Sequence, residues 1–364
     1  MQIKEVTQYL ESIAPPIYQE SYDNAGLIVG NPNWECTGIL LTLDSLEATI
    51  AEALEKNCNL IVAHHPIVFR GLKRFNGRNY VERIVIEAIK KDVAIYAAHT
   101  NLDNVQQGVN KKICDKLGIQ NPNILAPKKA LLKKLYTFCP TDKVESVRKA
   151  LFATGAGTIG DYDECSFNAE GIGTFRGNEA SNPSVGEKGQ QHQEKETKVE
   201  IIFPIHLERR LISALLAAHP YEEVAYDVVA LDNVHPHIGS GMVGELAEPM
   251  EEMDFLNHLK STMKAGCVRY TPLRNRLVKK VAVCGGSGSF LLRNAMAAKA
   301  DVFVTADYKY HEFFDADGQI IIADIGHYES EQYTIELFKE LLTEKFRNFA
   351  TFSTQINTNP INYL

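Results

Sequence analysis

The sequence predicts an α/β fold, with a parallel-sheet layered domain built from both chain ends and a ferredoxin-like α+β domain inserted between them. Three observations carry this prediction. Short apolar, β-branched runs alternate with amphipathic helical stretches up to residue 118, and the same rhythm returns from residue 279. Near-continuous apolar strands separated by helices imply a parallel sheet covered on both faces. The middle of the chain follows a different order, β-α-β-β-α-β, which is the split βαβ pattern.

The elements read in order. TGILLTLD (37–44) is a strand, followed by the helical SLEATIAEALEKN. NLIVAHH (59–65), the helical YVERIVIEAIKK and the strand VAIYAAHT (93–100) come next, and GVNKKICDKLG (108–118) is a helix that stops on glycine. QNPNILAPKKA (120–130) is rich in Asn and Pro and reads as a linker. Within the insert, KLYTFCP is a strand, KVESVRKALFATG a helix, and GTIGDYDECSFNAEGIGTFR a hairpin-like pair. The polar stretch 177–198 is too poor in apolar residues for a core and reads as an exposed loop. VEIIFPI, HLERRLISALLAAH and VAYDVVAL complete the series as strand, helix and strand. Towards the C-terminus, KKVAVCGG (279–286), DVFVTAD (301–307) and QIIIADIGH (319–327) are strands, and YTIELFKELLTEKF is the last long helix. The expected domains are 1–125 and 236–364, two halves of one α/β domain sharing a sheet, and 131–235, the insert.

Composition narrows the function. Of the 364 residues, 45% are hydrophobic and 23% charged, ordinary for a soluble globular protein. A net charge of −8 argues against nucleic acid or an anionic membrane as partner, though 38 Lys and Arg leave room for a local basic patch. No stretch approaches a spanning helix, and the amphipathic start MQIKEVTQYLESIAPP lacks the apolar run of a signal peptide, so a cytoplasmic protein is expected. The seven cysteines are scattered without a CxxC pair and read as small buried apolar residues.

The candidate site comes from where polar residues fall. Asp44, His64-His65, His99 with Asp103, Asp307 and His327 each sit at or just after the end of a different strand. In an open parallel sheet, ligands bind outside the carboxyl ends of the strands. Each feature alone has a plain explanation. Eleven histidines make a chance adjacent pair common, Asp103 fits a turn cap, and Glu331 fits a first-turn acid opposing a helix dipole. Their convergence is what suggests chemistry. His64 and His65 point in different directions, which suits two ions, while His327 and Glu331 share one helical face. Three histidines and two carboxylates without a thiolate suit Zn, Fe, Mn, Co or Ni. Five ligands exceed what one catalytic ion with an open position needs and suit two bridged ions. The glycine-rich CGGSGSF (284–290) reads as tight turning and close packing rather than a phosphate cradle. His99 reads as a possible proton shuttle or a structural histidine.

The segments DNAGLIVG (23–30), AHHPIVF (63–69), AAHTNLD (97–103) and GHYESE (326–331), in that order, resemble the signatures of the Nif-three-like family, also called GTP cyclohydrolase 1 type 2 homologs. HPYEEVAYDVV (219–229) resembles that family's inserted PII/CutA-like domain, carried by its long bacterial members. The resemblance implies a dinuclear divalent-metal site of His64, His65, Asp103, His327 and Glu331. Glu331 would bridge, with His65 and Asp103 on one ion and His64 and His327 on the other. It also implies a toroidal homohexamer. TAD (305–307) stands where TGD is usual, and Tyr22 where Trp is common. Two functions follow as expectations: a metal-dependent hydrolase of a nucleotide or phosphoester, or a non-catalytic regulatory hexamer that senses a small molecule through its PII-like domain.

Overall fold

The computed structural model describes residues 1–364, which divide into two compact units, Met1–Pro127 with Pro236–Leu364, and Lys128–His235. The first unit begins with α1 (Ile3–Ile13), β1 (Gly26–Val29), β2 (Ile39–Thr42), α2 (Glu47–Glu55), β3 (Leu60–Ala63), α3 (Tyr80–Lys90) and β4 (Ala94–Ala97). A single turn, α4 (Thr100–Asp103), leads to α5 (Val109–Leu117) and β5 (Ile119–Pro127). α5 stops as expected, on Gly118 in the left-handed conformation.

The second unit contains β6 (Leu132–Pro140), α6 (Val144–Phe152), β7 (Phe167–Arg176), β8 (Gln191–Pro204), α7 (Glu208–Ala218) and β9 (Tyr226–Leu231). Its sheet order is β7-β8-β6-β9, antiparallel throughout, and its core lies around Leu135, Val147, Ile201, Phe203 and Leu211. Two local expectations change here. Within 157–176 the only antiparallel pairing is a tight bridge between Ile159 and Tyr162, and β7 pairs with β8 instead. The polar stretch is a loop only to residue 190. Gln191–Lys198 extend β8, where exposed and more buried positions alternate, so charge is carried on the open face of the sheet.

The chain then returns to the first unit with β10 (Gly239–Met250), α8 (Glu252–Thr262), β11 (Arg269–Tyr270), β12 (Val278–Ser287), α9 (Leu292–Ala297), β13 (Val302–Ala306) and β14 (Ile321–Asp324). It ends with α10 (His327–Glu331), α11 (Thr334–Lys345) and β15 (Thr351–Ser353). The single shared sheet expected from both halves is in fact two sheets, ordered β1-β4-β3-β2-β15 and β11-β14-β13-β12-β10-β5. Each takes one strand from the other half of the chain. β15 pairs in parallel with β2, and β5 pairs antiparallel with β10. The expected linker at 120–130 is therefore largely strand. Neither sheet is purely parallel. β2, β3, β4 and β15 run together with β1 antiparallel at the edge, and β12, β13 and β14 run together beside antiparallel β10 and β11.

The central strands β2, β3, β4, β13 and β14 are buried along their whole length. Separate apolar clusters cover one face of each sheet, around Leu40, Ile61, Ile84 and Ile95 in one and Ala282, Phe303, Ile320 and Ile322 in the other. Five of the seven cysteines are buried as expected, while Cys165 is half-buried and Cys267 exposed.

Candidate metal centre

The carboxyl ends of strands from both sheets converge on Glu331. β3 runs directly into His64 and His65, β14 is followed by the one-turn α10 carrying His327 and Glu331, and α4 carries Asp103 just beyond β4. The ends of two sheets, rather than one, thus supply the five side chains. Spacing of four puts the His327 Nε2 3.1 Å from the Glu331 Oε2. The His65 Nε2 lies 2.9 Å from the same oxygen, and the His64 Nε2 3.7 Å from it.

Each of the three imidazoles is fixed through its other nitrogen. The His64 Nδ1 donates to the Ala98 carbonyl at 2.8 Å, the His65 Nδ1 to Asp44 at 2.7 Å and the His327 Nδ1 to Asp307 at 2.7 Å. A carbonyl or carboxylate acceptor of this kind sets the tautomer and leaves Nε2 as the ligand atom. Asp44 is itself held by the Thr358 hydroxyl at 2.7 Å. Asp307 takes a left-handed conformation, rare for a residue other than glycine, immediately after β13.

Two observations test whether these residues suit a cation. The His64 Nε2 and the Asp103 Oδ1 are buried, 3.6 Å apart and without any hydrogen-bond partner. Unpaired buried polar atoms are rare and call for an explanation. Second, the His65 Nε2 and His327 Nε2 approach to 3.3 Å around one carboxylate oxygen. Two imidazolium protons would repel there; one divalent ion in their place would satisfy both nitrogens. Donor atoms of His64, Asp103 and Glu331 cluster within 4.8 Å, as do those of His65, His327 and Glu331. Glu331 is common to both groups. The grouping differs from the pairing that the resemblance implies, since His65 sits with His327, and His64 with Asp103.

Charge is concentrated accordingly. Burial acts to raise Glu331, but the positive charge of His327 and His64 holds it well below the usual carboxylate range. Burial, then repulsion from Glu331, pushes Asp103 well above that range. The Glu331 carboxylate lifts His327 to about 11. Burial opposes protonation of His65, but the hydrogen bonds to Asp44 and Glu331 overcome it and raise the group to about 9. Burial lowers His64.

His99 is within reach of this centre but outside both groups around Glu331. Its ring sits edge-on to those of His64 and His65, at 5.3 and 5.4 Å. Its Nδ1 donates to Asp23 at 2.7 Å, and Asp23 also accepts from the Thr100 N–H at 3.0 Å and from the Thr100 hydroxyl. Burial opposes ionisation of Asp23, yet the His99 hydrogen bond and charge bring it to about 2. The sequence reading assigns no role to Asp23, although it opens the DNAG segment. Asn101 is the turn cap here, accepting from the His99 N–H, whereas Asp103 caps nothing. Glu329, on the same turn, belongs to neither group; it is buried and accepts from the Asn359 Nδ2 at 3.0 Å.

The glycine-rich turn serves packing around Glu331. A Cβ on Gly286, whose φ is +63°, would lie 2.4 Å from the Glu331 Oε1. A cavity of about 320 Å³ opens onto the centre, with Tyr22, Phe69, Phe290, Asn104, Ser240 and Ser287 in its walls beside His65, His99, Asp103, His327 and Glu331. Ala306 is buried in β13 and takes no part in that wall. No helix is long and apolar enough to cross a membrane.

Comparison with known proteins gives a consistent picture. The family model described as Duf34/NIF3 (NGG1p interacting factor 3) matches residues 1–360. A Bacillus subtilis protein named GTP cyclohydrolase 1 type 2 homolog is 36% identical over 99% of this chain and 98% of its own length. A protein of the same name from Halalkalibacterium halodurans is 36% identical over 99% of this chain and 98% of its own. The crystal structure of a Bacillus cereus protein related to NIF3 superposes with a TM-score of 0.86 at 36% identity, covering 100% of this chain and 99% of that one.

Proposed function

The chain belongs to the Duf34/NIF3 family, and from that premise we propose that it is a dinuclear divalent-metal protein that hydrolyses a phosphoester or nucleotide. One observation carries this reading: three imidazoles, each pinned through Nδ1, aim Nε2 at the Glu331 carboxylate, beside the unpartnered Asp103 Oδ1. His64, Asp103 and Glu331 would hold one ion, and His65, His327 and Glu331 the other. Zn, Fe, Mn, Co or Ni all suit this donor set. Such a pair lowers the pKa of bound water and neutralises charge on the group attacked.

The chain's own residues supply the rest. Asp44 and Asp307 keep the ligand imidazoles in register. The Asp23 carboxylate orients His99, so that its Nε2 can take a proton from the attacking water and return one to the departing oxygen. Tyr22, Phe69 and Phe290 give the cavity an aromatic wall. We further propose a homohexameric ring, with a cytoplasmic location, and read the β-α-β-β-α-β unit as a PII/CutA-like module.

The test is metal content per chain alongside hydrolysis of bis(4-nitrophenyl) phosphate. About two equivalents and turnover are expected in the wild type. Glu331→Gln, which removes the shared ligand, is expected to lose most of both; unchanged metal in that variant would sink the assignment. A regulatory hexamer is the second reading, favoured by a separate cavity of about 640 Å³ in the inserted unit, lined by Phe138, Phe175, Glu196 and Tyr221. Under that reading, Glu331→Gln would lower stability or change assembly, with no turnover to lose.

A further inference from the structure

Nine residues, Arg70–Arg78, follow Phe69 with the sequence RGLKRFNGR, and four of them are basic. In a chain of net charge −8 this is a local reversal of sign. Arg78 is tied to α3, its backbone N–H donating to Glu82 at 3.0 Å. The side chains of Arg70, Lys73 and Arg74 are exposed and make no hydrogen bond or ion pair. Three exposed cations within five residues, none offset by a paired carboxylate, form a concentrated positive patch.

The place of this loop matters as much as its charge. It starts at the mouth of the metal-centre cavity, because Phe69 is a wall residue and stands edge-on to His99, with ring centroids 5.5 Å apart. The Val68 carbonyl just before it accepts from the Asn24 Nδ2 at 2.7 Å, and Leu72 packs on the apolar core. Inside the cavity no wall residue is Lys or Arg. Any phosphate beyond the one at the centre therefore meets its cations outside, along the loop.

Aromatic rings complete the pattern. Three walls of this cavity are exposed rings: Tyr22 (65%), Phe69 (47%) and Phe290 (66%). Single exposed apolar residues are ordinary, but three around one polar site mark a surface for a flat apolar group. A fourth, Phe75, is 59% exposed beside Arg74 and lies outside the cavity. Cations that track a backbone, interleaved with rings that stack bases, are the pattern of single-strand binding. The volume of about 320 Å³ sits at the small end of ligand pockets and leaves room for one nucleotide unit. A second ring outside it extends recognition past that unit.

Resting on the phosphoester reading above, we propose that the substrate is the end of a single-stranded nucleic acid. One nucleotide enters the cavity with its base among Tyr22, Phe69 and Phe290. The phosphates that follow lie along Arg70, Lys73 and Arg74, and the next base stacks on Phe75. Net charge argues against nucleic acid only as an average over the chain; the binding surface is this loop.

The test is fluorescence anisotropy of a fluorescein-labelled hexathymidylate with the metal-loaded full chain, at several salt concentrations and with thymidine monophosphate and triphosphate as competitors. The strand is expected to bind more tightly than either mononucleotide. A variant carrying Arg70→Gln, Lys73→Gln and Arg74→Gln should bind at least tenfold more weakly, with wild-type metal content. The slope of log affinity against log salt should shrink by about 2, because each lost single-strand phosphate contact contributes about 0.7. Phe75→Ser should weaken the strand about tenfold and leave the mononucleotides unaffected. Absence of strand binding, equal binding by the loop variant, or mononucleotides that match the strand would each overturn the proposal. The two readings fail separately. Strand binding that depends on the loop, in a chain that never hydrolyses bis(4-nitrophenyl) phosphate, would sink the hydrolase and support the strand site. Hydrolysis without strand binding would sink the strand site alone.

Discussion

At the residue scale, a metal ion arriving at Glu331 competes with protons. His327 is raised to about 11 by that carboxylate, and His65 to about 9 through Asp44 and Glu331 against the opposing effect of burial. Below pH 9 both imidazoles are protonated, and an ion held by them must displace those protons. Metal affinity is therefore expected to rise between pH 6 and 9, by between tenfold and a hundredfold per unit. The same raised values favour the folded chain itself, in full below pH 6.5, and that contribution is lost as pH climbs through about 9 for His65 and about 11 for His327. Calorimetric titration with Zn²⁺ in buffers of different ionisation enthalpy reads both affinity and proton release. A flat profile with no protons released would contradict the geometry at Glu331. The sequence exposes the five donor residues because each follows an apolar strand, and strand ends can be located by pattern alone. It places Asp44 and Asp307 at neighbouring strand ends, as residues that orient ligands or cap helices, but it does not say which histidine each one holds, and it gives Asp23 no role. Asp44, Asp307 and Asp23 lie 21, 20 and 76 residues from the histidines they hold, and no local pattern encodes such pairings. The division of ligands between two ions is hidden for the same reason, being a matter of ångströms around one oxygen.

At the element scale, the glycine-rich end of β12 is fitted closely against Glu331. Gly286 has a φ of +63°, and its missing Cβ leaves the space that the Glu331 Oε1 occupies. Gly118 has a similar φ, +72°, but nothing lies within 4 Å of its absent side chain. The pair separates backbone strain from a steric effect on the site. Gly118→Ala is expected to cost about 1 kcal/mol in urea unfolding and to keep its metal. Gly286→Ala should cost at least as much and also lose most of the metal, because Glu331 has to move. Equal metal content in the two variants would mean that Glu331 is not held where this turn puts it. Elements with strong apolar periodicity are the ones that sequence locates well. β2, β3, β4, β13 and β14 are fully buried and announce themselves as β-branched runs. β5 and the first half of β8 do not. IQNPNILAP and QHQEKETK carry the Asn, Pro and charge of loops, yet they pair along β10, β6 and β7. Tertiary pairing overrides local propensity there, while the three-residue β15 is too short to show any pattern.

At the scale of the whole molecule, the two units have separate apolar cores, and the proposed ions belong to one of them. The change of rhythm that separates the units is visible in the sequence, while the two-sheet construction of the first is not. Exchange of one strand between the halves follows from pairings more than 100 residues apart. Those pairings make Met1–Pro127 and Pro236–Leu364 a single cooperative body, so ligand binding at its strand ends should stabilise all of it. A ligand that binds only the folded form adds about 2.7 kcal/mol at 100 times its dissociation constant. Hydrogen exchange followed by mass spectrometry, with and without saturating Zn²⁺, reads this region by region. Slower exchange is expected in β2, β3, β4, β12, β13 and β14 together, with β15 following β2. β6 to β9 should exchange at the same rate in both conditions, since every proposed ligand belongs to the other unit. Protection confined to β3 and α10 would mean that the two sheets open independently and that the strand exchange does not couple them. Protection spreading into β6 to β9 would instead join the two units into one thermodynamic body, a coupling that their separate cores give no reason to expect.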